Sequence, residues 1–277
     1  MKPFNLIASL TLSFGALLAA TPAHAIVASL NTDANALASA AAAGSTGFTI
    51  NSVTLSGHDR STGTFTNASG TYGIGGGIIL STGDVRDYAD GPNNVTGKST
   101  SFGVAGTAAQ QATLSQIGGN SSYFDVTELT INFTTTTGSV FFNTVFGSEE
   151  FPEYVGEFVD AFGLLIDGVN IAFVGGKPVN IDHPSMAAIA GTELDGVLCP
   201  AGSNGCSPAQ TFSLSGLDTS VAHTLTFIIG DRGDSALDTT VYISALGGTK
   251  PVEVPLPGTL ALFGLGLLGL AGARRRA

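Results

Sequence analysis

The chain has 277 residues, a formal net charge of −11, 38 glycines and no tryptophan. All 21 acidic residues precede position 254, while Lys2, Arg274, Arg275 and Arg276 sit in the apolar ends, so the central stretch is far more acidic than the whole. Without clustered Lys and Arg that stretch has no footprint for nucleic acid, and a divalent cation is the more natural counter-charge.

At the N-terminus Lys2 precedes an apolar run over 4–20 and the small-x-small site Ala23-His24-Ala25. A basic start, a short apolar core and such a site define a secretory signal helix cut after Ala25. Setting aside both ends leaves about 225 residues, enough for one domain with a substantial core.

An alanine-rich stretch over 33–43 predicts a first helix, with Asn31 or Thr32 as its cap. Strand-like runs follow at 48–55 and 77–82. The stretch 91–99, Gly-Pro-Asn-Asn-Val-Thr-Gly-Lys-Ser, imitates a phosphate-binding loop. Five residues rather than four separate its first glycine from Gly97-Lys98, and no strand-to-helix context surrounds it, so nucleotide binding is rejected. A second helix is expected over 105–117, stopped by Gly118-Gly119.

Further strand-like runs lie at 129–133, 139–146, 161–167, 169–174, 211–214, 224–229 and 240–246. Asp167-Gly168, between two of them, is a type I′ hairpin signal. Many short strands, punctuated by Gly, Asn and Asp and interrupted by only two helices, predict an all-β fold, a jelly-roll-like β-sandwich.

Two acidic loops separate neighbouring strands. The first carries Glu149, Glu150, Glu153, Glu157 and Asp160; the second carries Asp231, Asp234 and Asp238. Crowded carboxylates repel unless they are protonated, paired or bound to a cation. Ca²⁺, which takes about 6–8 oxygen ligands in flexible geometry, is therefore the expected cofactor. Its candidate ligands are Glu149, Glu150, Asp160, Asp231, Asp234 and Asp238, although neither loop has EF-hand spacing. A solvated loop with Arg232 as a local ion-pair partner is the plainer alternative. Phe151 and Tyr154 are placed either to stack on a sugar or to fill the core. The rival function is a glycan hydrolase using two of these carboxylates as acid and base. That chemistry needs a pair about 5–10 Å apart across a cleft. Nothing in the spacing isolates such a pair, so a non-catalytic binding or structural role is expected.

Cys199 and Cys206 form an even, closely spaced pair, expected to be a disulfide worth roughly 2–3 kcal/mol in an oxidising compartment. His58, His183 and His223 have no nucleophile elbow to serve and read as structural.

After Gly247 a short linker leads to Val254-Pro255-Leu256-Pro257-Gly258, an apolar run over 259–273, and then Arg274, Arg275 and Arg276. The run is marginal for a full membrane span of about 20 residues, and its arginines would hold that end in the cytoplasm with the body outside. A Pro-rich knee, a short Gly/Leu helix and a terminal Arg cluster resemble the PEP-CTERM sorting tail, with Leu256 where that family's usual glutamate stands. The resemblance implies transient anchoring in the inner membrane, recognition and cleavage by an exosortase, and release to or retention at an exopolysaccharide-rich surface; a plain C-terminal anchor that stays in place is the competing reading.

A second resemblance covers the body. Gly77-Ile78-Ile79-Leu80-Ser81-Thr82-Gly83, then Gly91-Pro92-Asn93, then Phe146-Gly147-Ser148-Glu149-Glu150-Phe151-Pro152-Glu153-Tyr154-Val155 follow the order found in the choice-of-anchor L domain. Asp160-Ala161-Phe162-Gly163 and the 230–238 loop extend it. The likeness implies an exported surface protein and carries over no catalytic residues. The expected organisation is a signal peptide over 1–25, the domain over 26–247, and linker plus tail over 248–277.

Overall fold

The computed structural model describes residues 26–200 and 206–249. The leader with its cleavage site at Ala25, and the tail residues Val254, Pro255, Pro257, Arg274, Arg275 and Arg276, lie outside the described residues. Among the described residues no helix is long and apolar enough to cross a membrane.

The principal elements, in chain order, are β1 (Ile26–Leu30), α1 (Ala34–Ala41), β2 (Phe48–Ser56), β3 (Thr62–Asn67), β4 (Gly77–Ser81) and α2 (Ala108–Gly118). Then come β5 (Tyr123–Thr135), β6 (Ser139–Ser148), β7 (Ala161–Ile166), β8 (Val169–Asn170), β9 (Met186–Ala187) and β10 (Gly196–Leu198). The last three are β11 (Gln210–Ser215), β12 (His223–Arg232) and β13 (Thr239–Gly247). An eight-stranded sheet runs β1-β3-β4-β13-β6-β10-β9, with β11 also paired to β6. A five-stranded sheet runs β2-β5-β12-β7-β8. The ladders are antiparallel, as an all-β sandwich expects.

Side chains alternate across each strand, and the alternation assigns them to layers. Ile78, Leu80, Val140, Phe142, Phe146, Val241 and Ile243 of the larger sheet meet Leu129, Ile131, Phe133, Phe162, Leu164, Leu225 and Phe227 of the smaller one. Each large apolar group sealed there contributes about 1.5–3 kcal/mol. The opposite registers are also buried. Ile79, Val145 and Tyr242 face an outer layer containing Tyr72, Val85, Tyr88 and Leu194, while Ile228 packs under α2 against Leu114 and Ile117. Burial on both faces explains why these strands read as continuous apolar runs rather than strict alternations.

Local signals mostly hold, with three differences. Asp33 caps α1, accepting from the amides of Asn35 and Ala36, whereas Asn31 accepts from the Asp33 amide one step earlier. The second helix starts three residues later than expected because Thr107 and Gln110 close a capping box. Four of these strands lie outside the expected runs: β1 directly follows the leader, β3 is a polar run holding Phe65 alone among Thr, Gly and Asn, and β9 and β10 are only two and three residues long. The Asp167-Gly168 turn forms as read, with both φ angles positive at 49° and 79° between the paired Ile166 and Val169.

Strand direction gives the sandwich two distinct ends. Ser148 of β6 pairs with Thr239 of β13, and Ala161 of β7 pairs with Gly230 of β12, so both acidic loops lie at one end. At the other end β13 finishes at Gly247, near Phe141. Ile26 lies there too, beside Asn67, because β1, β3 and β4 align Phe65 with Gly77. Both chain ends of the domain therefore emerge opposite the acidic loops.

Candidate functional site

The acidic end is organised around a segment without helix or strand. Residues 93–104 cross it as an irregular strap whose amides have no ladder partners of their own. The strap residues are half-buried or exposed, but the amides that turn inward need acceptors, and carboxyl groups supply them. Glu193 accepts from Asn94 and Val95, and Asp195 accepts from Gly97 and the Asn93 side chain. Glu149 accepts from Lys98 at 2.8 Å, and Asp238 accepts from Thr100 at 3.0 Å. Asp125 then takes three successive amides, those of Phe102, Gly103 and Val104, at 2.7–3.1 Å. A short antiparallel pairing of Asp90–Gly91 with Gly191–Thr192 holds the start of the strap against the segment carrying Glu193 and Asp195. The stretch that imitates a phosphate loop thus aims its amides at internal carboxyl groups.

The six expected cation ligands separate into groups. Glu149 and Asp238 hold the strap; Asp238 also accepts from the Tyr88 hydroxyl at 2.9 Å and lies so close over Gly83 that any Cβ there would collide with it. Asp234 faces its own turn, accepting from the Ala236 amide at 3.2 Å. Glu150 is sealed at 1% exposure, its Oε2 unpartnered. Asp160 and Asp231 lie side by side, at 0% and 1% exposure. Asp160 accepts from the Arg232 amide at 2.8 Å and the Thr239 hydroxyl at 2.6 Å, whereas neither oxygen of Asp231 has a donor. Among the described residues no three His, Cys, Asp or Glu side chains converge as a metal-ligating group.

Burial sets the protonation states. Loss of solvent pushes the carboxyl groups of Glu149 and Glu150 up to about 9, aided for Glu150 by the charges of Asp160 and Asp234. Burial likewise pushes Asp160 up to about 7 and Asp238 to about 6, and Asp231 well above the usual carboxylate range with Asp160 beside it. At neutral pH the two glutamates are carboxylic acids, and a neutral carboxyl still accepts an N–H through its carbonyl oxygen. The ion pairs of the described residues lie elsewhere: Arg60 and Arg86 on Asp84, Lys98 on Asp87, and His223 on Asp167.

The remaining sequence candidates have structural places. Phe151 packs against the core and over Gly196, while Tyr154 stays 38% exposed at the loop tip and meets Phe158 edge-on. Glu153 and Glu157 are exposed. Cys199 and Cys206 are disulfide-bonded, with Cα atoms 5.6 Å apart. His183 is fixed between the Val174 carbonyl and the Ser185 amide, and His58 stacks on Phe102. Sequence reasoning missed Asp125, Glu193 and Asp195, which are isolated from the acidic loops in sequence. The available signal was the strap: an ordered, aperiodic run rich in Asn, Gly, Ser and Thr needs acceptors from elsewhere.

Fold and site together define a closed β-sandwich module whose acids at one end face inward as backbone acceptors. Residues 26–247 match the Choice-of-anchor L domain, and the chain belongs to that family. Residues 253–276 match the PEP-CTERM protein-sorting motif. The chain is therefore an exported, surface-sorted protein with a transient membrane anchor, and its tail is of the kind processed by an exosortase, a sorting enzyme. No curated protein and no solved structure matches the chain.

Proposed function

We propose that the protein is a non-catalytic component of the cell surface or extracellular matrix that binds exopolysaccharide through the exposed rim of its acidic end. One observation carries this reading: Glu149, Glu150, Asp160, Asp231 and Asp238 are all at 0–1% exposure, so no acid–base pair among them meets a sugar. A glycosidase needs two carboxyl groups lining an open cleft. The rim offers different chemistry, with Tyr154 as a stacking face and Glu153 and Glu157 as hydrogen-bond acceptors toward sugar hydroxyls. Because the tail leaves from the opposite end, an anchored domain would present this rim outward.

The test is retention of the full chain on exopolysaccharide from its native host, beside an assay for released reducing sugar. Retention weakened roughly tenfold by Tyr154→Ala, with no sugar released, is the expected result. Sugar release abolished by Glu150→Gln would establish the hydrolase instead, and equal retention of Tyr154→Ala would remove the rim from the interface.

A further inference from the structure

Asp231 sits at the end of β12 with 1% of its surface exposed, and neither carboxyl oxygen has a hydrogen-bond donor. Its neighbour is another buried acid, Asp160, and the Thr82 hydroxyl also faces it, but that hydroxyl is shared with the amide and carbonyl of Thr239 and gives Asp231 no well-formed hydrogen bond. Arg232 contributes only its backbone amide to Asp160; its guanidinium turns away to the Glu157 carbonyl. A buried carboxyl group without donors is costly even when neutral. Natural structures seldom leave one so.

Among the described residues, the side chains hydrogen-bonded to the pair all present oxygen, and the nitrogen that reaches it is the Arg232 backbone amide. Besides the two carboxyl groups there are the hydroxyls of Thr82, Ser148 and Thr239, the last two 2.8 Å apart and the Thr239 hydroxyl 2.6 Å from Asp160. Glu150 stands near Asp160 with its own Oε2 unpartnered. A set of hard oxygens with two acids and neutral hydroxyls suits a cation that tolerates irregular coordination and keeps water in its shell. It does not suit zinc, which prefers nitrogen and sulfur.

We propose that Asp160 and Asp231 are the anionic half of a buried site for one Ca²⁺ ion, completed by neutral oxygens and water. The site is narrower than the acidic loops as a whole, since Asp234 and Asp238 are engaged in other bonds and Glu149 holds the Lys98 amide through Oε2, although its Oε1 is unpartnered. It stands independently of exopolysaccharide binding at the rim.

The experiment is calorimetric titration of the EDTA-stripped full chain with CaCl₂, paired with Tb³⁺ luminescence excited through tyrosine. Tyr123 lies within the field of Asp160, close enough to sensitise a bound Tb³⁺. Expected are one ion per chain, Tb³⁺ emission displaced by Ca²⁺, and a melting temperature raised by about 5 °C at saturating Ca²⁺. Asp231→Asn should abolish all three, while Glu153→Gln on the exposed loop leaves them intact. Absence of saturable binding to the wild type at millimolar Ca²⁺ overturns the site, and leaves a shared proton as what holds the pair. Binding that survives Asp231→Asn overturns its location. If Asp231→Asn fails to fold, Asp160→Asn and the wild-type stoichiometry decide in the same way. Rim binding to polysaccharide is read separately, so either proposal can fail alone.

Discussion

The two ends of this sandwich solve one problem, loops with unpaired amides, by different chemistry. At the acidic end the 93–104 strap is held by carboxyl groups from Asp125, Glu149, Glu193, Asp195 and Asp238, contributed by four separate parts of the chain. At the tail end, hydroxyls and backbone do the work. Thr135 bonds the Gly47 and Ser139 carbonyls, Thr137 bonds the Gly248 carbonyl at 2.6 Å, and Gly248 donates to the Thr46 carbonyl. The ion pair there, Asp167 with His223, lies partly in solvent. Neutral hydroxyls hold a loop with little sensitivity to pH. Buried acids hold it more strongly but make the end dependent on protonation, so the comparison predicts where the molecule is vulnerable.

The largest effect should follow from Asp125→Ala. It removes the acceptor for three amides at once and leaves alanine at a φ of 47°, where L-residues are strained. A loss of about 3–5 kcal/mol in urea denaturation is expected. A loss under about 1 kcal/mol, within the range of an ordinary surface substitution, would show that the strap does not depend on this carboxylate.

Next comes pH, followed in EDTA. Glu149 and Glu150 have folded values of about 9 against an unfolded value near 4.5, and Asp160 stands at about 7. For groups raised in the folded state, the favourable contribution is complete below the unfolded value and is lost as pH climbs through the folded one. The urea midpoint should therefore fall steadily between pH 5 and 9. A flat profile across that window would mean that these acids are not sealed from water.

Glu193→Gln is smaller. The amide oxygen still accepts from Asn94 and Val95 but without charge, so about 1–2 kcal/mol is expected, together with faster proteolysis within 93–98. Smallest is Asp167→Asn at the tail end. Both ring nitrogens of His223 face acceptors, the Asp167 carboxylate at 2.7 Å and the Asp218 carbonyl at 2.9 Å, an arrangement that favours the protonated ring. Hydrogen bonds from these partners raise His223. The Thr224 amide and His223 lower Asp167 against its partial burial. The pair stabilises above the lowered Asp167 value and below the raised His223 value, and its contribution fades outside that window. With Asp167 49% exposed, the substitution should cost only about 0.5–1 kcal/mol.

Much of this contrast was legible in the sequence, and its polarity was not. Apolar runs separated by Gly and Asp marked β2, β4, β5, β6, β7, β12 and β13, and Asp167-Gly168 marked its hairpin directly. Strand order then brought the two acidic loops to one end. The direction of the acids was hidden, because an acidic stretch between strands reads equally as a solvated loop. Glu149 faces inward because the Lys98 amide, 51 positions earlier in the chain, needs an acceptor. That partner sits in a run with no period to recognise. Asp125, inside an otherwise regular strand, carried no cue that it leaves β geometry to cap three amides. The leader and tail were readable from composition alone, since their apolar length and flanking charges need no tertiary partner.

Native-state hydrogen exchange of the strap amides tests the account most directly. If carboxyl groups hold 93–104 as firmly as a ladder holds a strand, the amides of Val95, Lys98, Thr100, Gly103 and Val104 should be protected to within about tenfold of those in β12. Exchange of these five at the rate of an open loop, with β12 still protected, would contradict it.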